Sequence, residues 1–243
     1  MDLDTSRPRP PLVPGLVLER LLGRGAHGHV WAARDAATGD RVAVKVGRRP
    51  DDPTSAREPA LLARLEHQHV VRLRNVVDCP DGTRALVLDL AEGGSLAGLV
   101  AARGRLDPGE TVTVTVALAR TLADLHARGL VHGDLTPSNV LLTADGRPLL
   151  ADLGVAGVLG SAEVAVWATP GFADLGPGPA ADPVRDVHAL GALVRFCLTG
   201  SAGPAAARSE GATLRSAPGA GALLAVADLC TDADPARRPD AAT

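Results

Sequence analysis

The 243-residue chain has no tyrosine, a single lysine, Lys45, and only two asparagines, Asn75 and Asn139. Arginine takes almost every other cationic position, as a coding bias towards Ala, Gly, Arg and Pro would produce. Against that background a rare residue that is retained carries weight, which singles out Lys45 and Asn139. The three cysteines, Cys79, Cys197 and Cys230, are odd in number and show no Cys-x-x-Cys spacing. That argues against a disulfide framework or a zinc cluster and fits a reducing, cytoplasmic setting. A net charge of only −3 gives no footprint for nucleic acid or for a basic membrane-facing surface. No apolar run approaches the roughly 18 residues of a membrane span. The first residues, Met1 to Pro11, are acidic and then proline-rich without an apolar core, so a signal peptide is not expected. With 46% hydrophobic and 22% charged residues the chain is globular, and its length suits one large or two small domains.

The most informative stretch runs from Val131 to Leu142, followed by Ala151-Asp152-Leu153-Gly154. Between them, Asp145-Gly146 flanked by apolar runs signals a β-hairpin. With Asp145-Gly146 as a two-residue loop, Ala144 pairs with Arg147, and the ladder continued outward sets Asn139 opposite Asp152. Directly opposed residues have Cβ atoms about 4.5–5.5 Å apart. An amide oxygen and a carboxylate at that separation suit one oxygen-loving cation such as Mg²⁺. Asp134 leads into the same hairpin and places a second acid beside the metal.

Earlier in the chain, Leu16 to Leu22 reads as an apolar strand entering Gly23-x-Gly25-x-x-Gly28-x-Val30. Such glycines let backbone N–H groups cover phosphates without Cβ interference. A dinucleotide-binding loop would open a helix after the third glycine. Here Val30 to Ala33, turn residues from Asp35 to Asp40, and Arg41 to Val46 read as strand, turn, strand. On the last strand Val42, Val44 and Val46 share one face, and Ala43 and Lys45 the other. The small alanine and the sole lysine make a nucleotide floor, with Lys45 on the phosphates.

Further on, Ser55 to Leu65 has helical leucine spacing, with Pro59 placing Glu58 at the start of a short helix. Val76 to Leu88 reads as a second hairpin turning at Cys79-Pro80-Asp81-Gly82. A long helix begins at Asp107-Pro108 and ends at Gly129. Gly157 to Pro170 is irregular, with Ser161 and Thr169 its only hydroxyls. Asp182 to Gly200 and Leu223 to Cys230 read as helices, separated by an Ala/Gly/Ser-rich connection from Ser201 to Ala220.

Taken together, Gly23-x-Gly25-x-x-Gly28-x-Val30, Val42-Ala43-Val44-Lys45, His132-Gly133-Asp134-Leu135-x-Pro137-x-Asn139 and Asp152-Leu153-Gly154 resemble, in order and spacing, the eukaryotic-like (bacterial Hanks-type) Ser/Thr protein kinases. The resemblance implies an α+β two-lobe fold: a small antiparallel β-sheet lobe over residues 16–88, a hinge at 89–94, and a mainly helical lobe over 95–240 with a shortened C-terminus. A proline-rich tail, residues 1–15, precedes them. ATP and Mg²⁺ are the implied cofactors and an unspecified protein the implied substrate. Gly23, Gly25, Gly28, Val30 and Ala43 would surround ATP, with Lys45 on its α/β-phosphates and Glu58 orienting that lysine. Leu88 would be the gatekeeper, and backbone from Asp89 to Ala91 would bind adenine. Asn139 and Asp152 would hold Mg²⁺, Asp134 would be the catalytic base, and His132 would support the loop. Asp186 resembles the aspartate that braces that loop.

Three positions depart from the family pattern. Gly133 replaces an arginine that pairs with a phosphorylated activation loop, which removes that route of switching. Thr136 replaces a lysine near the γ-phosphate, removing one positive charge where charge develops. Asp174-Leu175-Gly176 replaces Ala-Pro-Glu, so Arg238 loses its usual glutamate and Asp174 becomes the candidate substitute. Asp174 also lies in a second Ala-Asp-Leu-Gly, but no hairpin aligns that copy with Asn139. Two alternatives stay open: a pseudokinase serving as nucleotide-binding scaffold, and a small-molecule phosphotransferase of the aminoglycoside kinase type.

Overall fold

The computed structural model describes residues 10–25, 28–47, 57–153, 157–158, 169–174, 176, 179, 181–202 and 218–243. Chain contacts divide it into two compact units. One comprises Met1–Glu66 with Val71–Leu90, the other His67–Val70 with Ala91–Thr243.

The first unit is an antiparallel sheet of β1 (Leu16–Gly25), β2 (Gly28–Asp35), β3 (Arg41–Val46), β4 (Leu73–Asp78) and β5 (Arg84–Asp89), in the order β1-β2-β3-β5-β4. The valine alternation on β3 decides its core face. Val42, Val44 and Val46 pack with Trp31, Ala33, Ala85 and Val87. Val13 joins that cluster at 2% exposure, so the folded sheet unit begins earlier than the proline-rich composition suggests. Trp31, Val42, Val44 and Val87 are each nearly fully buried, and each removes on the order of 2 kcal/mol of apolar surface from water. The short helix α1 (Arg57–Leu62) carries Pro59 within its first turn, where a missing N–H leaves no helical bond unmade.

The second unit is mainly helical: α2 (Leu96–Arg103), α3 (Pro108–Ala127), α4 (Pro183–Thr199) and α5 (Ala220–Cys230). Helix α3 starts as its sequence predicts, with Pro108 in the first turn and Glu110 reaching back to accept from the Asp107 N–H at 3.0 Å. It stops at Arg128 because Gly129 turns left-handed, φ +74°. Leu118, Leu122 and Leu125 bury the inner stripe of α3, and Leu193 and Leu198 that of α4. Helix α5 begins three residues before the apolar run starting at Leu223. Among short strands, β6 (Gly94–Ser95), β8 (Val140–Leu142) and β9 (Pro148–Leu150) form one sheet, and β7 (Leu130–Val131) pairs with β10 (Gly157–Val158). Among the described residues no helix is long and apolar enough to cross a membrane.

The β8–β9 hairpin corrects the register drawn from Asp145-Gly146. Val140 pairs with Leu150, Leu141 with Leu149 and Leu142 with Pro148. Thr143 N–H donates to Arg147 O, and Gly146 N–H to Thr143 O, each at 3.0 Å. The loop therefore has three residues, Ala144-Asp145-Gly146, with Gly146 left-handed at φ +84°. Thr143 selects it: its hydroxyl donates to Asp145 and accepts from the Arg147 N–H at 2.9 Å. Asn139 consequently lies opposite Ala151, whose N–H donates to Asn139 O at 2.9 Å, and not opposite Asp152.

Candidate functional site

The candidate residues fall into a group on each unit. On the first, Gly23 pairs with Val30, Gly25 with Gly28, Val30 with Lys45, and Ala43 with Leu88. Gly28 is the glycine this turn requires. Its φ is +124°, and a Cβ there would meet Val46 O at 2.2 Å. Ala26 and His27 lie outside the described residues. Lys45 is only 6% exposed, on the β3 face away from the valine core. A lysine so buried requires compensation of its charge. Glu58 sits in the first turn of α1, but its side chain lies outside the described residues, as does Ser55. The Asp89 N–H donates to Arg72 O at 3.0 Å and its carboxylate accepts from Arg74 Nε at 2.5 Å. The Asp89 N–H is thus engaged within its own unit.

On the second unit, Ala91 begins the segment that Gly93 and β6 stitch to β8. Gly93 N–H donates to Leu142 O at 2.9 Å. A Cβ at Gly93 would meet Thr143 O at 2.5 Å, so the approach itself demands glycine.

The chemistry-bearing cluster centres on Asp134. Asn139 Nδ2 donates to the Asp134 carbonyl at 2.8 Å and to its Oδ2 at 3.0 Å, and Thr169 Oγ1 donates to Oδ1 at 3.0 Å. Each carboxylate oxygen thus has one fixed donor. Burial pushes the Asp134 carboxyl above the ordinary aspartate range, outweighing the hydrogen bonds from Thr169 and Asn139. The charge of Asp152 adds to the rise, which places that carboxylate within electrostatic reach. Asp152 leaves the β9 extension with φ +61°. Strand alternation ends there, so a left-handed residue replaces the register argument in bringing Asp152 towards Asp134.

The loop carrying Asp134 is held from below. Asp186, 1% exposed on α4, accepts from His132 N–H at 2.8 Å, Gly133 N–H at 2.9 Å and His126 Nε2 at 2.9 Å. His132, fully buried, receives the Asp134 N–H on Nδ1 at 3.3 Å and donates from Nε2 to Ala151 O at 3.1 Å. Both ring nitrogens are engaged with backbone, the supporting role expected for it. Gly133 is left-handed at φ +79°.

Asp174 does replace the missing glutamate. Its Oδ2 pairs with Arg238 Nη1 at 2.5 Å, with side-chain exposures of 10% and 2%. Thr169, which the sequence marked as one of two hydroxyls in an irregular stretch but not as a candidate site residue, joins the cluster through Asp134.

As to metal and nucleotide, no group of three or more His, Cys, Asp or Glu that could hold a metal occurs among the described residues. The donor set nevertheless fits Mg²⁺, which binds through one or two protein oxygens and substrate phosphates. Nδ2 of Asn139 is committed to Asp134, which leaves its amide oxygen as the donor a cation would take. The close backbone approach at Gly28 fits a phosphate-covering turn.

A model of the protein kinase domain matches residues 16–209. The serine/threonine-protein kinase PknK of Mycobacterium tuberculosis is 33% identical over 220 residues, covering 83% of this chain and 20% of PknK. PkaA of Streptomyces coelicolor is 37% identical over 166 residues, 60% of this chain and 30% of PkaA. CBL-interacting protein kinase 4 of Oryza sativa is 42% identical over 158 residues, 60% of this chain and 34% of that kinase. The chain thus spans between about a fifth and a third of the length of these relatives. The family match over most of the chain, with a five-stranded sheet unit and a helical unit carrying the motifs in order, shows that the chain belongs to the protein kinase domain family, among the eukaryotic-like serine/threonine kinases.

Proposed function

We propose that the chain transfers the γ-phosphoryl group of ATP to a serine or threonine hydroxyl of a protein, with Mg²⁺ as cofactor. The observation that carries this is the Asp134 carboxylate, partly buried, with each oxygen held by one donor on a loop braced by Asp186. Phosphoryl transfer asks little covalent chemistry of the protein and much positioning. Asp134 would orient the incoming hydroxyl and take its proton as the oxygen–phosphorus bond forms and the bond to ADP breaks. Lys45 would bind the α/β-phosphates, and Asn139 and Asp152 would hold the metal. Mg²⁺ bound there supplies charge neutralisation at the phosphate oxygens. Gly23, Gly25 and Gly28 would cover the phosphates by backbone N–H groups, with Val30, Ala43, Leu88 and Ala91 around the base. Neither Gly133 nor Thr136 supplies a charge, so this chemistry rests on fewer cations than the family pattern provides.

The test is transfer of labelled phosphate from ATP to a generic basic protein, against Asp134→Asn and Lys45→Ala. Transfer that survives Asp134→Asn unchanged sinks the mechanism. Nucleotide-induced thermal stabilisation without turnover assigns the chain as a pseudokinase scaffold, and turnover confined to small alcohols or amino-sugars assigns a small-molecule phosphotransferase.

A further inference from the structure

Arg185 occupies an awkward place. It lies in the first turn of α4, three residues after the N-cap Asp182, where the helix dipole disfavours a cation. Its guanidinium turns instead onto three backbone carbonyls of the preceding segment: Asp174 O, Gly176 O at 2.9 Å and Pro179 O at 2.8 Å. Nε and both terminal nitrogens are used, which a lysine cannot reproduce from one ammonium. Asp174, whose carbonyl Arg185 holds, directly follows a tight turn. In that turn Thr169 O accepts from Phe172 N–H and Ala173 N–H, each at 3.1 Å. Phe172 is buried edge-on against Phe196 of α4, with ring centroids 5.8 Å apart at 71°. The other end of the turn carries the Thr169 hydroxyl, 3.0 Å from Asp134 Oδ1. A continuous path of hydrogen bonds and short chain therefore joins Arg185 to the carboxylate.

We propose that Arg185 is a positioning residue: by clamping the carbonyls of Asp174, Gly176 and Pro179 it holds the Thr169 turn so that the Thr169 hydroxyl stays on Asp134. This rests on the reading of Asp134 as the catalytic base for its effect on turnover, but not for its effect on the Thr169 hydroxyl. Releasing the turn takes that hydroxyl off Asp134 Oδ1 and lets the Thr169 side chain sample other rotamers. Arg185→Gln should therefore shift the Thr169 methyl resonance and average its χ1 couplings, read by methyl NMR with Thr169→Val fixing the assignment. Arg185→Gln and Thr169→Val should both lower kcat about tenfold or more, with KM for ATP little changed. The double variant should match Thr169→Val alone, because both act through one hydrogen bond. Arg185→Lys, which keeps the charge without the fork, should fall between wild type and Arg185→Gln. A Thr169 methyl unmoved by Arg185→Gln, or an Arg185→Gln loss of kcat that persists in full on the Thr169→Val background, overturns the proposal. If wild type transfers no phosphate while Arg185→Gln still moves the Thr169 methyl, the proposed function fails and the positioning role stands.

Discussion

Replacing Asp174 by alanine leaves the Arg238 guanidinium, 2% exposed, without its counter-charge. Breaking a buried pair from one side costs about 3–5 kcal/mol, because the remaining charge stays desolvated. Arg238 keeps two acceptors, Asp232 O at 2.9 Å and Val184 O at 3.3 Å, and Asp174 retains 10% exposure. Both features put the loss at the low end, about 3 kcal/mol. For a chain of this size that lowers Tm by roughly 6–12 °C. Thermal unfolding followed by circular dichroism reads the shift. Burial alone would raise the Asp174 carboxyl, but the Arg238 and Gly176 hydrogen bonds prevail and hold it below the usual range. A depressed acid stabilises above its unfolded pKa and loses that contribution as pH falls through the folded one. The gap between wild type and Asp174→Ala should therefore be full at neutral pH and narrow in acid. Pairing Asp174→Ala with Arg238→Met should recover much of the loss, since no buried charge then remains. A Tm change under about 2 °C for Asp174→Ala at neutral pH, or strictly additive single and double variants, would refute the reasoning.

Asp134→Asn should lower phosphate transfer by about 10²–10⁴-fold in the labelled-ATP assay. It should not lower Tm at neutral pH, because a carboxyl raised by burial stabilises the fold only when protonated and loses that contribution as pH rises through its folded pKa. For the same reason the acid limb of wild-type kcat/KM, which reports the free enzyme, should lie above the ordinary aspartate range, as a pH–rate profile would show. Lys45→Ala should abolish the thermal stabilisation that Mg-ATP confers, measured by differential scanning fluorimetry. Gly28→Ala, forced to φ +124° with its Cβ 2.2 Å from Val46 O, should cost at least about 1–3 kcal/mol in urea unfolding, whereas Gly23→Ala, with open space, should cost less.

Much of the fold was legible because its signals are local. The valine alternation of β3, the Asp107-Pro108 start of α3 and its Gly129 stop each follow from residues within one turn or one strand. Even the hairpin was legible as a hairpin. Its register was not, because Thr143 just before Ala-Asp-Gly selects a three-residue loop, and one residue of slip changes every partner. Asp152 still comes within reach of Asp134, through a left-handed residue that no pairing rule foretells. The Asp174–Arg238 pair joins residues 64 apart in sequence, and the Thr169–Asp134 bond residues 35 apart. Such contacts arise from how helices pack, which period and spacing do not encode. The order of motifs, by contrast, identified the family from the sequence itself, since several spacings must agree at once.

The burial of Lys45 has a practical consequence. As the sole lysine, it is the chain's one side-chain amine, and it is 6% exposed. Every amine-directed acylating reagent therefore has one side-chain target besides the α-amine, and a Lys45→Arg control identifies the Lys45 increment in the intact mass without digestion. The rate at which the Lys45 increment grows is a direct gauge of opening at the Ala43–Lys45 face of β3. Its slowing by added nucleotide would turn the protein's lopsided composition into a built-in occupancy meter.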